Sequence, residues 1–203
     1  MQGLSKTQTI DLGWQDDKTY LEYYTLIFVS LTGLFYFDHN STMSNKPVYA
    51  IAVFTGDIKG VVHFTEDLVH HQIKIDLHIK GLKSNSLHGF HVHEAGDLTD
   101  KCTSMCAHFN PYGATHGCPG MRDRHVGDLG NIKSNSKGEA NYTFYDNVIK
   151  LRGTKCNILG RGLIIHQDED DCGQGGNAES LKTGNAGKRI ACAVIGYSKQ
   201  NFT

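Results

Sequence analysis

The sequence lacks an excess of charge of either sign, since 20 Lys and Arg residues face 21 Asp and Glu residues. The formal net charge is −1, so nothing suggests nucleic acid or a membrane surface as the partner of the folded domain. Segments with a sustained helical period are also few, whereas glycine is abundant at 23 residues. This composition favours an all-β domain with large loops. The length of 203 residues fits one domain with enough apolar residues for a core.

The sequence has little that could cross a membrane, because a spanning helix needs about 20 apolar residues. The run from Tyr23 to Phe37 has 15 residues, which suits the core of a signal peptide. However, two Lys and four acidic residues precede this run, and no small-residue cleavage site follows it. Met43 looks like a natural start just before the first strand. We therefore expect residues 1–42 to form an N-terminal extension that is disordered or not translated, and residues 43–203 to form the functional domain; the alternative is a signal or a membrane anchor.

Histidine, by contrast, is frequent, with 12 residues in the chain. The stretch Gly89 to Glu94 reads Gly-Phe-His-Val-His-Glu, and a strand would place His91 and His93 on one face, about 7 Å apart. Such a pair alone is weak evidence, because roughly one is expected by chance in this composition. A second pattern follows it, with the spacing His-x7-His-x8-His-x2-Asp. Three imidazoles and a carboxylate suit a tetrahedral zinc site, and here they are His108, His116, His125 and Asp128.

A count of ligands suggests that two metals share one side chain. His166 ends the apolar run from Gly162 to Ile165 and is a natural further nitrogen ligand beside His91 and His93. A tetragonal copper(II) site and a tetrahedral zinc site together need eight ligand positions, and these patterns offer seven side chains. A deprotonated imidazole has two usable nitrogens, so the best candidate for the shared ligand is His108. The count assumes two metals, which spacing alone does not establish.

The rest of the chain predicts further short strands and two long loops. Alternating or continuous apolar residues, bounded by turn residues, indicate strands on both sides of the His-x-His strand. The loops cover residues 94–127 and Asp168–Lys188, and long loops in compact domains are usually functional. The predicted strands are Val48–Thr55, Gly60–Thr65, Gln72–Ile79, Asp128–Lys133, Ala140–Asp146, Gly162–Gln167 and Arg189–Tyr197.

Four motifs closely resemble those of the copper/zinc superoxide dismutases, and they follow one another in that family's order. They are Leu87–Glu94, His108–Pro111, Arg124–Asn131 and Lys182–Arg189. The resemblance runs from about Val48 to Tyr197. It implies an all-β fold, namely an eight-stranded flattened Greek-key β-barrel with an immunoglobulin-like sandwich architecture. It also implies one copper ion on His91, His93, His108 and His166, and one zinc ion on His108, His116, His125 and Asp128.

The resemblance further implies an oxidoreductase that disproportionates superoxide to oxygen and hydrogen peroxide by redox cycling of copper. His108 would release the copper on reduction, take a proton and donate it on reoxidation. Arg189 would dock the anion, with Glu179 and Lys182 shaping the field at the copper mouth. Asp170 would hydrogen-bond both His91 and His116, which fixes the orientation of the two rings.

Six cysteines are present, and the resemblance implies one intrasubunit disulfide, between Cys102 and Cys192. We expect the other four to be unpaired thiols. Cys106 and Cys118 flank zinc ligands, and they could instead form a disulfide or bind a metal. Four free thiols favour a reducing compartment, and so a cytoplasmic location. These four residues are Cys106, Cys118, Cys156 and Cys172.

Two rival functions are a chaperone-like domain and a metal-storage protein. Either would be a non-catalytic relative that binds copper and zinc. A chaperone-like domain tends to lose copper ligands, and the copper chaperones add a Cys-x-Cys pair that this chain lacks. A metal-storage protein would have no use for Arg189 beside the copper ligands. The resemblance also suggests a homodimer through the last strand and a copper chaperone as a possible partner, although Ala95 stands where a large aromatic residue is common in relatives.

Overall fold

The computed structural model describes residues 28–30, 33–35 and 46–203. The chain divides into two units, Met1–Met43 and Ser44–Thr203. In the first unit, strands β1 (Phe28–Ser30) and β2 (Gly33–Phe35) pair antiparallel. The other residues before position 46 lie outside the described part. The predictions of an N-terminal extension, a start at Met43, or a signal or anchor fall on them. Within the described part, no helix is long and apolar enough to cross a membrane.

The second unit is a β-sandwich of two antiparallel sheets, with the strand orders β10-β9-β6-β7 and β11-β3-β4-β5-β8. The first six of the predicted strand ranges are confirmed to within one residue at the start and two at the end. Hydrogen bonds do not close the two sheets into a barrel in this unit, so the predicted Greek-key fold takes its sandwich form. The strands are β3 (Tyr49–Thr55), β4 (Lys59–Asp67), β5 (Gln72–Lys80), β6 (Leu87–His93), β7 (Asp128–Lys133), β8 (Glu139–Asp146), β9 (Gly162–His166), β10 (Arg189–Val194) and β11 (Gly196–Tyr197). One short helix, α1, covers Ser180–Thr183, and 3-10 turns cover Thr103–Met105 and Lys199–Phe202.

The alternation of side chains along the strands builds the core between the sheets. On β5, the four apolar side chains from Ile73 to Ile79 are buried, whereas Lys74, Asp76 and His78 lie on the other face. Strand β6 is buried on both faces, because Phe90 and Val92 join the core while long loops cover the opposite face. That covered face carries the His-x-His pair.

The last predicted strand is in fact two strands, β10 and β11, which belong to different sheets. The break falls at Ile195, whose N–H donates to the Arg161 carbonyl oxygen at 2.9 Å. The Ile195 carbonyl oxygen in turn accepts from the Gly160 N–H at 2.8 Å. The backbone of Ile195 therefore pairs with a loop, and the chain changes sheets at that point.

The first long loop is tied to β6 by backbone hydrogen bonds. Val92 donates to the Gly127 carbonyl oxygen at 2.8 Å and accepts from Phe109 at 2.9 Å, and Gly127 donates to Phe109 at 2.9 Å. A Cβ on Gly127 would lie 2.1 Å from the Val92 carbonyl oxygen, so only glycine permits this approach. These contacts bring the middle and the end of the loop, next to His108 and Asp128, beside the His-x-His strand.

Candidate metal centre

Four of the predicted ligands form one buried cluster. His91 and His93 lie on β6, and His166 ends the neighbouring strand β9. His108 faces His93 across an isolated β-bridge. One ligand atom from each of these four side chains lies within 4.8 Å of those of the other three. The sheet and the first loop thus bring together residues that are 75 positions apart in the sequence.

The four rings each present one nitrogen without a hydrogen-bond partner among the described residues. These atoms are Nδ1 of His91 and Nε2 of His93, His108 and His166. Burying four unpaired nitrogens is unfavourable unless something binds them. A neutral imidazole that donates through one nitrogen offers a lone pair on the other, so this donor set fits a copper ion in a nitrogen site.

The opposite nitrogens of the same rings are held by the protein. His91 Nε2 lies 2.8 Å from Asp170 Oδ2, and His93 Nδ1 lies 2.9 Å from the Cys106 carbonyl oxygen. His166 Nδ1 contacts the Gly187 carbonyl oxygen at 3.2 Å. Such outer contacts select the tautomer and aim the free nitrogen at the cluster.

Burial keeps these imidazoles neutral. It lowers the pKa of His91 to about 3 and that of His166 to about 4, with further lowering from the neighbouring His108. Burial likewise lowers the pKa of His93 and of His108. Near pH 7 the rings therefore carry the lone pairs that a metal requires.

The zinc-type ligands surround Asp128. Its Oδ1 lies 2.9 Å from His108 Nδ1 and 3.1 Å from His125 Nδ1, and its Oδ2 lies 3.0 Å from His116 Nδ1. Burial opposes the ionised form of Asp128, but hydrogen bonds from the three histidines outweigh it and hold its pKa well below the usual range. The result is one carboxylate and three imidazole nitrogens, the set expected for tetrahedral zinc.

A second group of ligand atoms within 4.8 Å of one another comprises His91, His108, His116 and Asp128, and it leaves out His125. His91 and His108 belong to both groups, so the ring nitrogens must decide which of them is the shared ligand. His91 uses Nε2 for Asp170, which leaves one nitrogen for a metal. His108 directs Nε2 into the first group and Nδ1 towards Asp128. Only His108 of this pair therefore offers a nitrogen to each group.

Asp170 connects the two groups. Its Oδ2 lies 2.8 Å from His91 Nε2, and its Oδ1 lies 2.7 Å from His116 Nε2. Burial opposes the imidazolium form of His116, but hydrogen bonds to Asp128 and Asp170 outweigh it and raise the pKa of His116 to about 9. The backbone of Asp170 is fixed by two 2.8 Å hydrogen bonds with the Asn131 side chain. Asp170 therefore contacts one histidine of the copper-type set and one of the zinc-type set.

The first group opens on a cleft of about 940 Å³. Its lining includes His93, His108 and His166 together with Glu179, Lys182 and Arg189. Arg189 Nη1 donates to the carbonyl oxygens of Cys102 at 2.7 Å and Thr103 at 3.2 Å, and Nη2 donates to the Cys106 carbonyl oxygen. The three residues to which the resemblance gives a role in steering the anion therefore all line this cleft.

The chain contains two disulfides among the described residues, one of which the sequence analysis missed. Cys102–Cys192 is present as the resemblance implies. The prediction that Cys118 and Cys172 are unpaired is wrong, because they form a second bond with a Cα–Cα distance of 4.9 Å. The two residues are 54 positions apart in different loops, and no spacing rule connects them. The remaining thiols are Cys106 and Cys156.

A buried ion pair next to the zinc-type ligands was also missed. Arg124 Nη2 lies 2.5 Å from Asp146 Oδ2, and both side chains are almost fully buried. Arg124 directly precedes His125, so the pair fastens this part of the loop to the end of β8. The sequence holds no signal for the pairing except that Arg124 lies inside a family motif.

Comparison with known proteins agrees with this geometry. The family model described as copper/zinc superoxide dismutase (SODC) matches residues 58–195, which is more than half of the chain. The chain belongs to the copper/zinc superoxide dismutase family. Members of this family are oxidoreductases that act on superoxide with copper and zinc, and this chain is therefore one of them.

Several relatives are similar along most of their length. A "Superoxide dismutase [Cu-Zn]" of Paramecium bursaria Chlorella virus 1 is 59% identical over 179 residues, which is 88% of this chain and 92% of the relative. An "Extracellular superoxide dismutase [Cu-Zn]" of Drosophila melanogaster is 48% identical over 159 residues, or 75% and 87% of the two chains. A "Superoxide dismutase [Cu-Zn]" of Kluyveromyces lactis is 48% identical over 153 residues, or 74% and 98%. The alignment of 179 residues is longer than the part after residue 42, so it includes some of the N-terminal segment.

Proposed function

We propose that this chain disproportionates superoxide at a copper ion held by His91, His93, His108 and His166, next to a zinc ion held by His108, His116, His125 and Asp128. The observation that carries the proposal is the convergence of four buried ring nitrogens without protein partners. His108 supports the shared site, since its other nitrogen lies 2.9 Å from Asp128.

Copper, when bound, supplies one-electron chemistry, which converts one superoxide to oxygen and reduces a second, with two protons, to hydrogen peroxide. The task of the protein is to admit a small anion, hold it and deliver protons. A cleft that ends on the His93, His108 and His166 rings gives that access. The substrate needs no fitted pocket, because superoxide has only two atoms.

His108 is the residue that holds a proton between the two half-reactions. Its Nε2 has no protein partner among the described residues, the residue lines the cleft, and Nδ1 lies on the Asp128 side. A ring fixed through one nitrogen can gain or lose a proton at the other without turning. The proton then passes to the reduced oxygen species within hydrogen-bond reach.

Arg189 holds the anion. A guanidinium has five N–H donors, and the backbone carbonyl oxygens of Cys102, Thr103 and Cys106 occupy three of them. The remaining donors are available to the substrate on a side chain that its backbone contacts keep in place. Lys182 adds positive charge and Glu179 adds negative charge at the same mouth, so the field narrows the approach of the anion.

The decisive experiment combines metal analysis with an assay of superoxide loss. Protein reconstituted with both ions should hold one copper and one zinc per chain and remove superoxide rapidly. A chaperone-like or storage protein would hold metal without removing superoxide. A total of one metal per chain would contradict the shared-ligand arrangement.

The dimeric state, the chaperone and the compartment are also proposals. A homodimer through the last strand, as the resemblance suggests, would cover the exposed side chain of Tyr197 on β11. Because β11 pairs with β3, we expect it to cover the exposed Val53 side chain on β3 as well. Light scattering tests the dimer, and a Val53→Asp change should produce monomers.

A copper chaperone would act as the donor of copper. The two thiols that lack a disulfide favour the cytoplasm, but the second disulfide weakens that argument, and fractionation of the source cells tests it.

A further inference from the structure

The Cys118–Cys172 disulfide lies beside the hydrogen bond that connects the two metal loops. Cys118 is two residues after His116, and Cys172 is two residues after Asp170. His116 Nε2 and Asp170 Oδ1 are 2.7 Å apart. The disulfide and the hydrogen bond therefore close a small ring, in which each side contributes three consecutive residues.

Residues of the ring also contact the two carboxylates that hold His116. The Cys172 N–H donates to Asp170 Oδ1 at 2.7 Å, so Cys172 contacts the carboxylate that the ring contains. On the other side, the Gly117 N–H donates to Asp128 Oδ2 at 3.1 Å. The disulfide therefore lies next to contacts with both carboxylates around His116: Cys172 itself contacts Asp170, and Gly117, the neighbour of Cys118, contacts Asp128.

The other contacts between the two loops at this place are noncovalent. The His116 N–H donates to the Leu181 carbonyl oxygen at 2.9 Å. The Asn131 side chain, which holds the Asp170 backbone, belongs to β7 and not to the first loop. The Cys102–Cys192 bond joins the first loop to β10 and does not reach residues 170–172 directly. Without Cys118–Cys172, no covalent bond among the described residues would join the two loops to each other.

We propose that Cys118 and Cys172 are positioning residues, whose bond holds Asp170 against His116 and so slows the loss of zinc. The inference rests on the proposed assignment of His116 and Asp128 as zinc ligands. A covalent link between nearby residues keeps the hydrogen-bonding groups at high effective concentration. Loss of an outer partner of a metal ligand typically costs roughly 10- to 100-fold in affinity, and we expect a smaller effect for residues that act through that partner.

The test uses full-length protein loaded with zinc alone. Its rate of zinc release to an excess of a coloured chelator is compared between the native chain and the double variant Cys118→Ser/Cys172→Ser. We expect release about three- to tenfold faster in the double variant. The matched control is Cys156→Ser, which removes an unpaired thiol and should leave the rate unchanged.

A second readout separates positioning from a general effect on stability. In the zinc-loaded native chain, the Nε2 protons of His91 and His116 are held by Asp170 and should be visible by proton NMR as slowly exchanging signals. The His116 signal should exchange faster in the double variant. Unchanged exchange and unchanged zinc release, with only a lower free energy of unfolding, would overturn the inference.

A third measurement covers the case in which the double variant does not fold. The native protein is treated with a dithiol reductant, which becomes a cyclic disulfide as two protein thiols form, and mass spectrometry measures the reduction of each bond. Zinc release should rise with the fraction of Cys118–Cys172 reduced. Release that follows only Cys102–Cys192 would contradict the inference, whereas failure of the native chain to bind zinc would contradict the proposed function itself.

Discussion

Arg189 Nη1 lies 2.7 Å from the carbonyl oxygen of Cys102, the residue whose sulfur is bonded to Cys192 on the same strand as Arg189. The disulfide and the guanidinium therefore hold the same turn of the first loop from two sides. Because the Cys106 carbonyl oxygen accepts from both Arg189 and His93, the side chain that we propose docks the anion is linked to a proposed copper ligand through one backbone oxygen.

Replacing Arg189 with Ile should lower activity without removing the metals. The net charge of the chain is only −1, so local charge at the cleft must attract superoxide. Charged clefts raise association rates by roughly 10- to 1,000-fold, and we expect a loss of about tenfold or more. The dependence of the rate on salt should flatten, since the screened attraction is gone.

The control for Arg189→Ile is Arg122→Ile. Arg122 is exposed and does not line the cleft, so this change removes the same charge elsewhere. Its rate and salt dependence should stay close to those of the native chain. Normal kinetics in Arg189→Ile, at full metal content, would be incompatible with the steering role.

Replacing His125 with Ala should remove zinc and leave copper largely bound. His125 Nδ1 lies 3.1 Å from Asp128, and His125 is not part of the four-histidine group. Metal analysis after reconstitution checks this outcome. The variant His93→Ala should show the opposite selectivity, and loss of both metals in His125→Ala would argue against separable sites.

Replacing Gly184 with Ala should weaken zinc binding through Asp170. A Cβ at this position would lie 2.0 Å from Asp170 Oδ1 and 2.5 Å from His116 Nε2. The matched control is Gly176→Ala in the same loop. Gly176 has φ +72° against +66° for Gly184, so backbone strain is similar, but no atom lies within 4 Å of its Cβ position. Equal zinc release rates in the two variants would show that the collision has no effect on the site.

Peptide mapping without reductant should find two disulfides. Cys102 should be joined to Cys192 and Cys118 to Cys172, while Cys106 and Cys156 react with an alkylating reagent after denaturation. The Cys102–Cys192 bond spans 90 residues and is worth on the order of 4 kcal/mol in the chain-entropy model. Hydrogen exchange in residues 94–107 should accelerate when this bond is removed. A free Cys102 in active protein would contradict the assignment.

A chain that begins at Met43 should fold and retain full activity. Residues Ser44–Thr203 form one unit, and every proposed ligand lies within it. The activity and metal content of the shortened chain, measured beside the full one, test this expectation. Intact-mass analysis of protein from its source tests the start itself, and a mature protein that contains residues 1–20 would rule out Met43 as the start.

The strands and the candidate ligands could be read from the sequence because both leave local patterns. Alternation along Gln72–Ile79 predicted β5 to within one residue, since one face of that strand is buried. The sequence patterns and the family resemblance predict seven candidate ligands, and these seven side chains lie close together in the fold. The end of the chain was harder, because the break at Ile195 depends on a loop 34 residues earlier.

The candidate ligands follow from the chain alone, because the spacing of imidazole and carboxylate side chains is a property of the sequence. Which nitrogen of each ring is free depends on the fold, since Asp170, Cys106 and Gly187 reach the rings from other segments. It also decided that Cys118 pairs with Cys172. A disulfide requires two Cα atoms within about 7 Å, and the distance between two loops is set by how they pack over β6 and its neighbours rather than by their separation along the chain.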